Sequence, residues 1–215
     1  MKITVFSAKG GVGKTPISVN MALDRGWAIG TNETYHVLEH LTAIPDGRTM
    51  AIDPAAEFPK LPPEIDIVFD LSGTLGGDTA HSIVSAVEQS DFVLVPVPNE
   101  YKAINSAFHT IAELQKLNKN IVIIATKLQK QKNEDFADWA ESKDCTNVRD
   151  TLSGLLEKEY PVFPLKYSKV FDVIFDKEKS IRQMVDGGGI DAYTYRMIAW
   201  QFDKIYQYLD SKVSQ

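Results

Sequence analysis

The chain has 215 residues, 44% of them hydrophobic and 24% charged, with a net charge of −6. That length and balance suit one α/β domain over residues 1–215 with a sizeable core, undivided by any Gly/Ser or Pro linker. The acidic balance speaks against a surface covered in nucleic-acid-binding charge, while no apolar run reaches membrane length and the lone cysteine, Cys145, cannot close an internal disulfide.

In chain order, residues 2–7 read as a buried strand that empties into Ala8-Lys9-Gly10-Gly11-Val12-Gly13-Lys14-Thr15. Residues 14–25 follow as a helix with Pro16 in its first turn, where a missing N–H is tolerated. A short strand at 27–29 and a weak helix around 35–41 come next. Strands at 49–52 and 65–69 are separated by a connection containing Pro54, Pro59, Pro62 and Pro63. A helix is expected at 79–89, then a buried strand at 92–96, whose run is short, apolar and β-branched. The helix at 101–117 carries Ile104, Phe108, Ile111, Ala112 and Leu114 at amphipathic spacing. Strands at 121–125 and 162–165 complete the set, and 191–211 reads as a terminal helix. Strands alternating with helical stretches predict a mostly parallel twisted sheet flanked by helices on both faces. Such a sheet binds its ligand at the carboxyl ends of its strands.

A buried strand, a glycine-rich loop, Lys-Thr and a helix are together the elements of a polyphosphate cradle. Gly10, Gly11 and Gly13 let successive backbone N–H groups turn inward with Val12 between them, Lys14 neutralises the β/γ-phosphates, and the Thr15 hydroxyl holds Mg2+. Asp70 closes the strand at 65–69 and precedes Leu71-Ser72-Gly73, where an acidic residue can hold the hydration shell of Mg2+. His36, His40, His81 and His109 are scattered without metal-ligand spacing, and Cys145 in Ser142-Lys143-Asp144-Cys145-Thr146 is a poor ligand candidate. The single cysteine and the lack of a signal-peptide pattern fit a cytoplasmic protein.

With Lys9 five residues before Lys14, the loop resembles that of the deviant Walker A ATPases of the ParA/MinD family, Lys-Gly-Gly-x-Gly-Lys-Thr. The resemblance spans nearly the whole chain and implies a P-loop NTPase fold binding ATP and Mg2+. It implies that Gly10 to Pro16 contact the nucleotide, with Lys14, Thr15 and Asp70 binding Mg-ATP in their own subunit. Lys9 would reach the partner's phosphates across an ATP-dependent homodimer. Thr126 and Lys127 follow the strand whose end in the family usually offers an Asn to the adenine, so the resemblance brings them to the base. Phe92 to Pro98 is similar to the family's strand ending beside the nucleotide. The implied function is an ATP-driven dimerisation switch for plasmid or DNA partition or positioning, with an adaptor or centromere-binding protein as partner and nonspecific DNA as a further one.

Departures from the pattern shape the expected reaction. The family's Asp-x-Asp-Pro-Gln motif aligns with Gly30-Thr31-Asn32-Glu33-Thr34, so Gly30 and Asn32 replace two aspartates, the first of which helps position the attacking water. Slow hydrolysis is expected, with Asp53, Glu33 or no residue as the substitute. Pro16 stands where the family has Thr or Ser, and it has no N–H to give the α-phosphate. The aromatic residues Tyr193 to Tyr208 suggest either a membrane-surface helix, as in MinD, or a docked one; the balanced charge of Asp203, Lys204, Asp210 and Lys212 favours docking. Lys127, Lys130, Lys132, Lys166, Lys169, Arg182 and Arg196 are the candidate DNA contacts. Alternative functions are a nucleotide-dependent scaffold with little hydrolysis that recruits segregation or conjugation partners, a MinD-like membrane-associated ATPase, or a small-molecule P-loop enzyme.

Overall fold

The structure, a computed structural model, describes residues 1–34, 36–117, 120–156 and 158–213. Its strands are β1 (Lys2–Phe6), β2 (Ala28–Thr31), β3 (Thr49–Ala51), β4 (Ile67–Leu71), β5 (Phe92–Pro98), β6 (Asn120–Leu128) and β7 (Val162–Lys166). They form one sheet in the order β3-β2-β4-β1-β5-β6-β7, with every neighbouring pair parallel. The helices are α1 (Lys14–Arg25), α2 (Ala80–Gln89), α3 (Tyr101–Lys116), α4 (Lys143–Leu156), α5 (Val170–Lys177), α6 (Ile181–Asp186) and α7 (Gly189–Val213).

Successive side chains of a strand point to opposite faces, and here both faces are buried. Ile3, Val5, Val68, Leu94 and Val122 pack in one apolar cluster with residues of α1, α5, α6 and α7. Phe6, Phe69, Val93, Val95 and Ile123 pack in the other with α2, α3 and α4. The expected two-sided α/β sheet is therefore the observed one. Prolines inside a central strand would remove ladder hydrogen bonds. β5 avoids that cost because its pairing with β1 ends at Leu94, whereas pairing with β6 runs on through Pro98.

Differences from the sequence reading cluster late in the chain. α4, α5 and α6 were not expected. Ser142 begins α4 by accepting the Cys145 N–H at 3.2 Å, and Cys145, Val148 and Leu152 form its buried stripe. Cys145 thus lies in the core rather than in a polar loop, and burial pushes its thiol up to about 11. Ser180 and Gln183 close a capping box on α6. The expected weak helix at 35–41 is a 3-10 turn at Val37–His40, and Tyr35 lies outside the described residues. Gly188 (φ 79°) and Gly189 (φ 65°) make a left-handed turn, and α7 starts there. α7 docks through Ile198, Phe202, Ile205 and Leu209. Among the described residues no helix is long and apolar enough to cross a membrane.

Candidate functional site

β1 ends in the middle of the sheet, and its exit loop wraps the start of α1. Gly11 (φ 70°) and Gly13 (φ 102°) hold left-handed backbone conformations that side-chain-bearing residues rarely adopt, so the turn depends on glycine there. The Lys9 N–H donates to Ser7 Oγ at 3.4 Å, and Lys14 Nζ donates to the Lys9 carbonyl at 3.4 Å, folding the lysine back across its own loop. Burial lowers the pKa of Lys14, against the raising pull of Asp70 and Glu33. A partly buried ammonium at the end of a glycine loop is a good receptor for a polyanion.

Asp70 lies on β4 opposite Val5 of β1 and is 4% exposed. Ser18 Oγ donates to its Oδ1 at 3.1 Å, and the Thr15 hydroxyl also bonds it. Burial nevertheless raises its pKa to about 6, Glu33 adding to the rise while Thr15, Ser18 and Lys14 oppose it. Ser18 was not singled out by the motif; its place one helical turn after Lys14 is the signal that could have found it. Among the described residues no group of three or more His, Cys, Asp or Glu side chains could hold a metal ion. Thr15 and Asp70 instead offer one hydroxyl and one carboxylate. That oxygen pair suits Mg2+, which otherwise keeps waters and phosphate oxygens.

Two cavities meet at Pro16. One, about 410 Å³, is lined by Ala8, the loop from Gly10 to Pro16 except Val12, and by Glu33, Ser72 and Gly73. The other, about 320 Å³, runs from Gly11, Val12, Gly13, Pro16 and Ile17 to Thr126, Lys127, Leu165, Tyr167, Ser168, Phe171 and Asp172. The structure thus brings Gly10 to Pro16, Thr126 and Lys127 to one continuous site, with Asp70 beneath Thr15. Thr126 is buried, and its hydroxyl donates to the Val12 carbonyl at 3.0 Å, which ties the end of β6 to the phosphate loop.

The end of β2 is arranged differently from the sequence alignment. Gly30 is inside the strand, where an added Cβ would lie 3.0 Å from the Phe69 ring and 3.1 Å from that of Phe58. It is a packing glycine that leaves room for those two rings. Asn32, 1% exposed, uses its amide on the loop after β4. Its Oδ1 accepts the Ser72 N–H at 2.9 Å, and its Nδ2 donates to the Ser72 carbonyl at 3.0 Å and to Ser82 Oγ at 2.8 Å. Glu33, the next residue, reaches the phosphate-side cavity. Asp53 lies beyond the edge strand β3 and accepts the Ala55 N–H of its own turn.

The candidate DNA-contacting residues differ in their surroundings. Lys127 lines the second cavity, and Lys166 and Lys169 flank its β7–α5 wall in sequence. Lys130 pairs with Asp135, Arg182 with Asp203, and Arg196 lies over the Tyr193 ring.

No protein-family model and no curated protein sequence matches the chain. Solved structures do match. The MinD septum-site protein of Pyrococcus horikoshii, complexed with Mg-ADP, is 13% identical, with coverage of 96% of this chain and 97% of that one and a TM-score of 0.63. A Cyanothece McdA variant in complex with ATP is 13% identical over 95% and 96%, with a TM-score of 0.60. A Borrelia burgdorferi protein assigned to plasmid partition, bound to AMPPNP, is 16% identical over 94% and 98%, with a TM-score of 0.53. A parallel sheet with a glycine loop at the end of its central strand, matched along nearly the whole length of both chains, gives this protein the P-loop fold of the ParA/MinD ATPases.

Proposed function

We propose that the protein is an ATP-binding dimerisation switch of the ParA type that hydrolyses ATP slowly and uses the cycle to position or partition a DNA cargo in the cytoplasm. The observation that carries the reading is the continuous site across Pro16: a glycine loop with a desolvated Lys14 on one side, and an apolar cavity of nucleoside size on the other. Backbone N–H groups at the start of α1 and the Lys14 ammonium receive the β- and γ-phosphates. Thr15 and Asp70 hold Mg2+, which when bound supplies charge neutralisation between the phosphates. Phe171, Tyr167 and Pro16 give the base an apolar wall, with Lys127 at its rim.

Lys9 precedes the loop and is proposed to reach the nucleotide of a second copy, which makes the homodimer depend on ATP. An adaptor or centromere-binding protein would then read the composite surface, with nonspecific DNA as a further contact. A second reading, a scaffold that binds ATP but scarcely hydrolyses it, is favoured by Asn32, an amide in place of a carboxylate and turned onto Ser72 and Ser82.

Size-exclusion chromatography with light scattering tests the switch, run with ATP, ADP and no nucleotide on wild type and Lys9→Ala. A dimer with ATP alone, lost in Lys9→Ala, is expected. An unchanged monomer with bound ATP removes the switch. DNA-stimulated turnover with salt-sensitive DNA binding then separates partition from the scaffold.

A further inference from the structure

Hydrolysis of a phosphoanhydride needs a group that holds the attacking water in line with the γ-phosphorus. Asn32 is turned onto the loop after β4, since its carbonyl oxygen takes the Ser72 N–H and both its amide protons are donated, and it lines neither cavity. Asp70 sits beneath Thr15, buried and bonded by Thr15 and Ser18. Asp53 lies beyond the edge strand β3, accepts the Ala55 N–H of its own turn and lines neither cavity.

Glu33 is different. It is half-buried and lines the phosphate-side cavity beside Lys14, Ser72 and Gly73. Its charge is felt by both Lys14 and Asp70, which places it within electrostatic reach of each. Its backbone is held from the strand side: its N–H donates to Thr31 Oγ1 at 3.2 Å, and the preceding Asn32 is clamped to Ser72. A carboxylate facing a polyphosphate is repelled by it, so it contributes through a bridging proton donor and not by direct contact.

We propose that Glu33 is the water-positioning residue of this site. The inference rests on the ATP-site reading above. The Glu33 carboxylate accepts a hydrogen bond from a water lodged against the γ-phosphate at Ser72–Gly73. The water oxygen bonds to the γ-phosphorus while the bond to the β,γ-bridging oxygen breaks, its electron pair leaving with ADP. One water proton stays on the inorganic phosphate, and the other passes by way of Glu33 to solvent. The Asn32 clamp fixes the height of Glu33 above the sheet, so a group two residues beyond the strand end performs the task.

The test is ATP affinity, measured first by calorimetry, followed by single-turnover hydrolysis with enzyme in excess, on wild type, Glu33→Gln and Glu33→Asp. Glu33→Gln is expected to bind ATP as tightly as wild type or more tightly, because a like charge is removed, and to hydrolyse it about 30-fold or more slowly. Glu33→Asp, with its shorter arm, recovers part of the rate. Hydrolysis by Glu33→Gln within about threefold of wild type overturns the proposal. So does a parallel loss of ATP affinity, which marks a structural role, a roughly tenfold shift in the Mg2+ concentration required, which marks a metal ligand, or a wild type that binds ATP without turnover. A wild type that does not bind ATP overturns the site reading itself, an outcome already separated by the calorimetry.

Discussion

On one side of Pro16 the site is built from backbone: a loop between Phe6 and Lys14, shaped by Gly11 and Gly13 in left-handed conformations and crossed by the Lys14 side chain. On the other side it is built from side chains of separate elements, with Thr126 and Lys127 from β6 and Leu165, Tyr167 and Phe171 from β7, α5 and the turn between them. The first construction constrains its residues more tightly, because side-chain-bearing residues rarely adopt those φ values and because the cation is placed there against the cost of its burial. The second fixes a shape that many apolar combinations could fill. Specific chemistry is thus concentrated on the loop side, and the tolerant side sets volume.

Removing the cation breaks that contrast most sharply. Lys14→Ala is expected to weaken ATP binding at least about 100-fold by calorimetry, since it deletes a desolvated charge aimed at the phosphates. The folded state should lose little, because the lysine's burial opposes its charged form. A loss of only a few-fold would move the binding energy to the apolar side.

Asp70→Asn sharpens the same point through stability. Burial pushes the folded-state pKa of Asp70 up to about 6 from the ordinary carboxylate value of 3.8, so the folded chain holds the proton more tightly than the unfolded chain. The stability of the ligand-free protein should therefore fall as pH rises from about 4 to about 6 and stay low above it. Replacing the buried carboxylate by an amide should raise urea-measured stability at pH 7.5 by about 1–3 kcal/mol, but not at pH 4. Mg2+-dependent nucleotide binding should be lost in the same variant. A variant less stable at pH 7.5 would show that the Thr15 and Ser18 hydrogen bonds outweigh the burial.

What the sequence disclosed follows the same division. Lys14, Thr15 and Asp70 were legible because a strand, a tight glycine turn and a helix can be arranged in only one way around a polyphosphate. The alternating apolar strands likewise disclosed the two-sided sheet. Gly30 and Asn32 were not legible. Only the pairing of Thr31 with Asp70 shows where β2 ends, and only the Phe58 and Phe69 rings explain why residue 30 lacks a side chain. Helices α4, α5 and α6 escaped notice because they are short or rich in Thr, Asn and Gly, and tertiary burial overrides such weak propensity. The resemblance brings Thr126 to the base, and the structure adds what the sequence did not disclose, a bond from its hydroxyl to the loop.

Pro16 stands on the dividing line and tests it. It is the third residue of α1, in the turn whose N–H groups have no partner within the helix, and it lines both cavities. Pro16→Thr would restore one donor toward the phosphates, and a charge-assisted hydrogen bond is worth about 1.5–3 kcal/mol. ATP affinity should rise about tenfold or more in calorimetry. An unchanged affinity would mean that the phosphates are held fully without residue 16.

The smallest effect is expected where the two sides are joined. Thr126→Val keeps the shape of the apolar wall but removes the hydroxyl that holds the Val12 carbonyl at 3.0 Å. A buried carbonyl left without that donor costs about 1 kcal/mol, which should appear as a modest loss in urea-measured stability. ATP affinity should fall only about three- to fivefold, because the loop keeps its glycine geometry and Lys14 while its edge loosens. The discriminating comparison is with an analogue lacking the base, such as inorganic triphosphate. If Thr126 acts by positioning the loop, affinity for triphosphate falls by the same factor as affinity for ATP. If it reads the base, ATP alone is affected, and the two sides of the site are coupled through the ligand rather than through the protein.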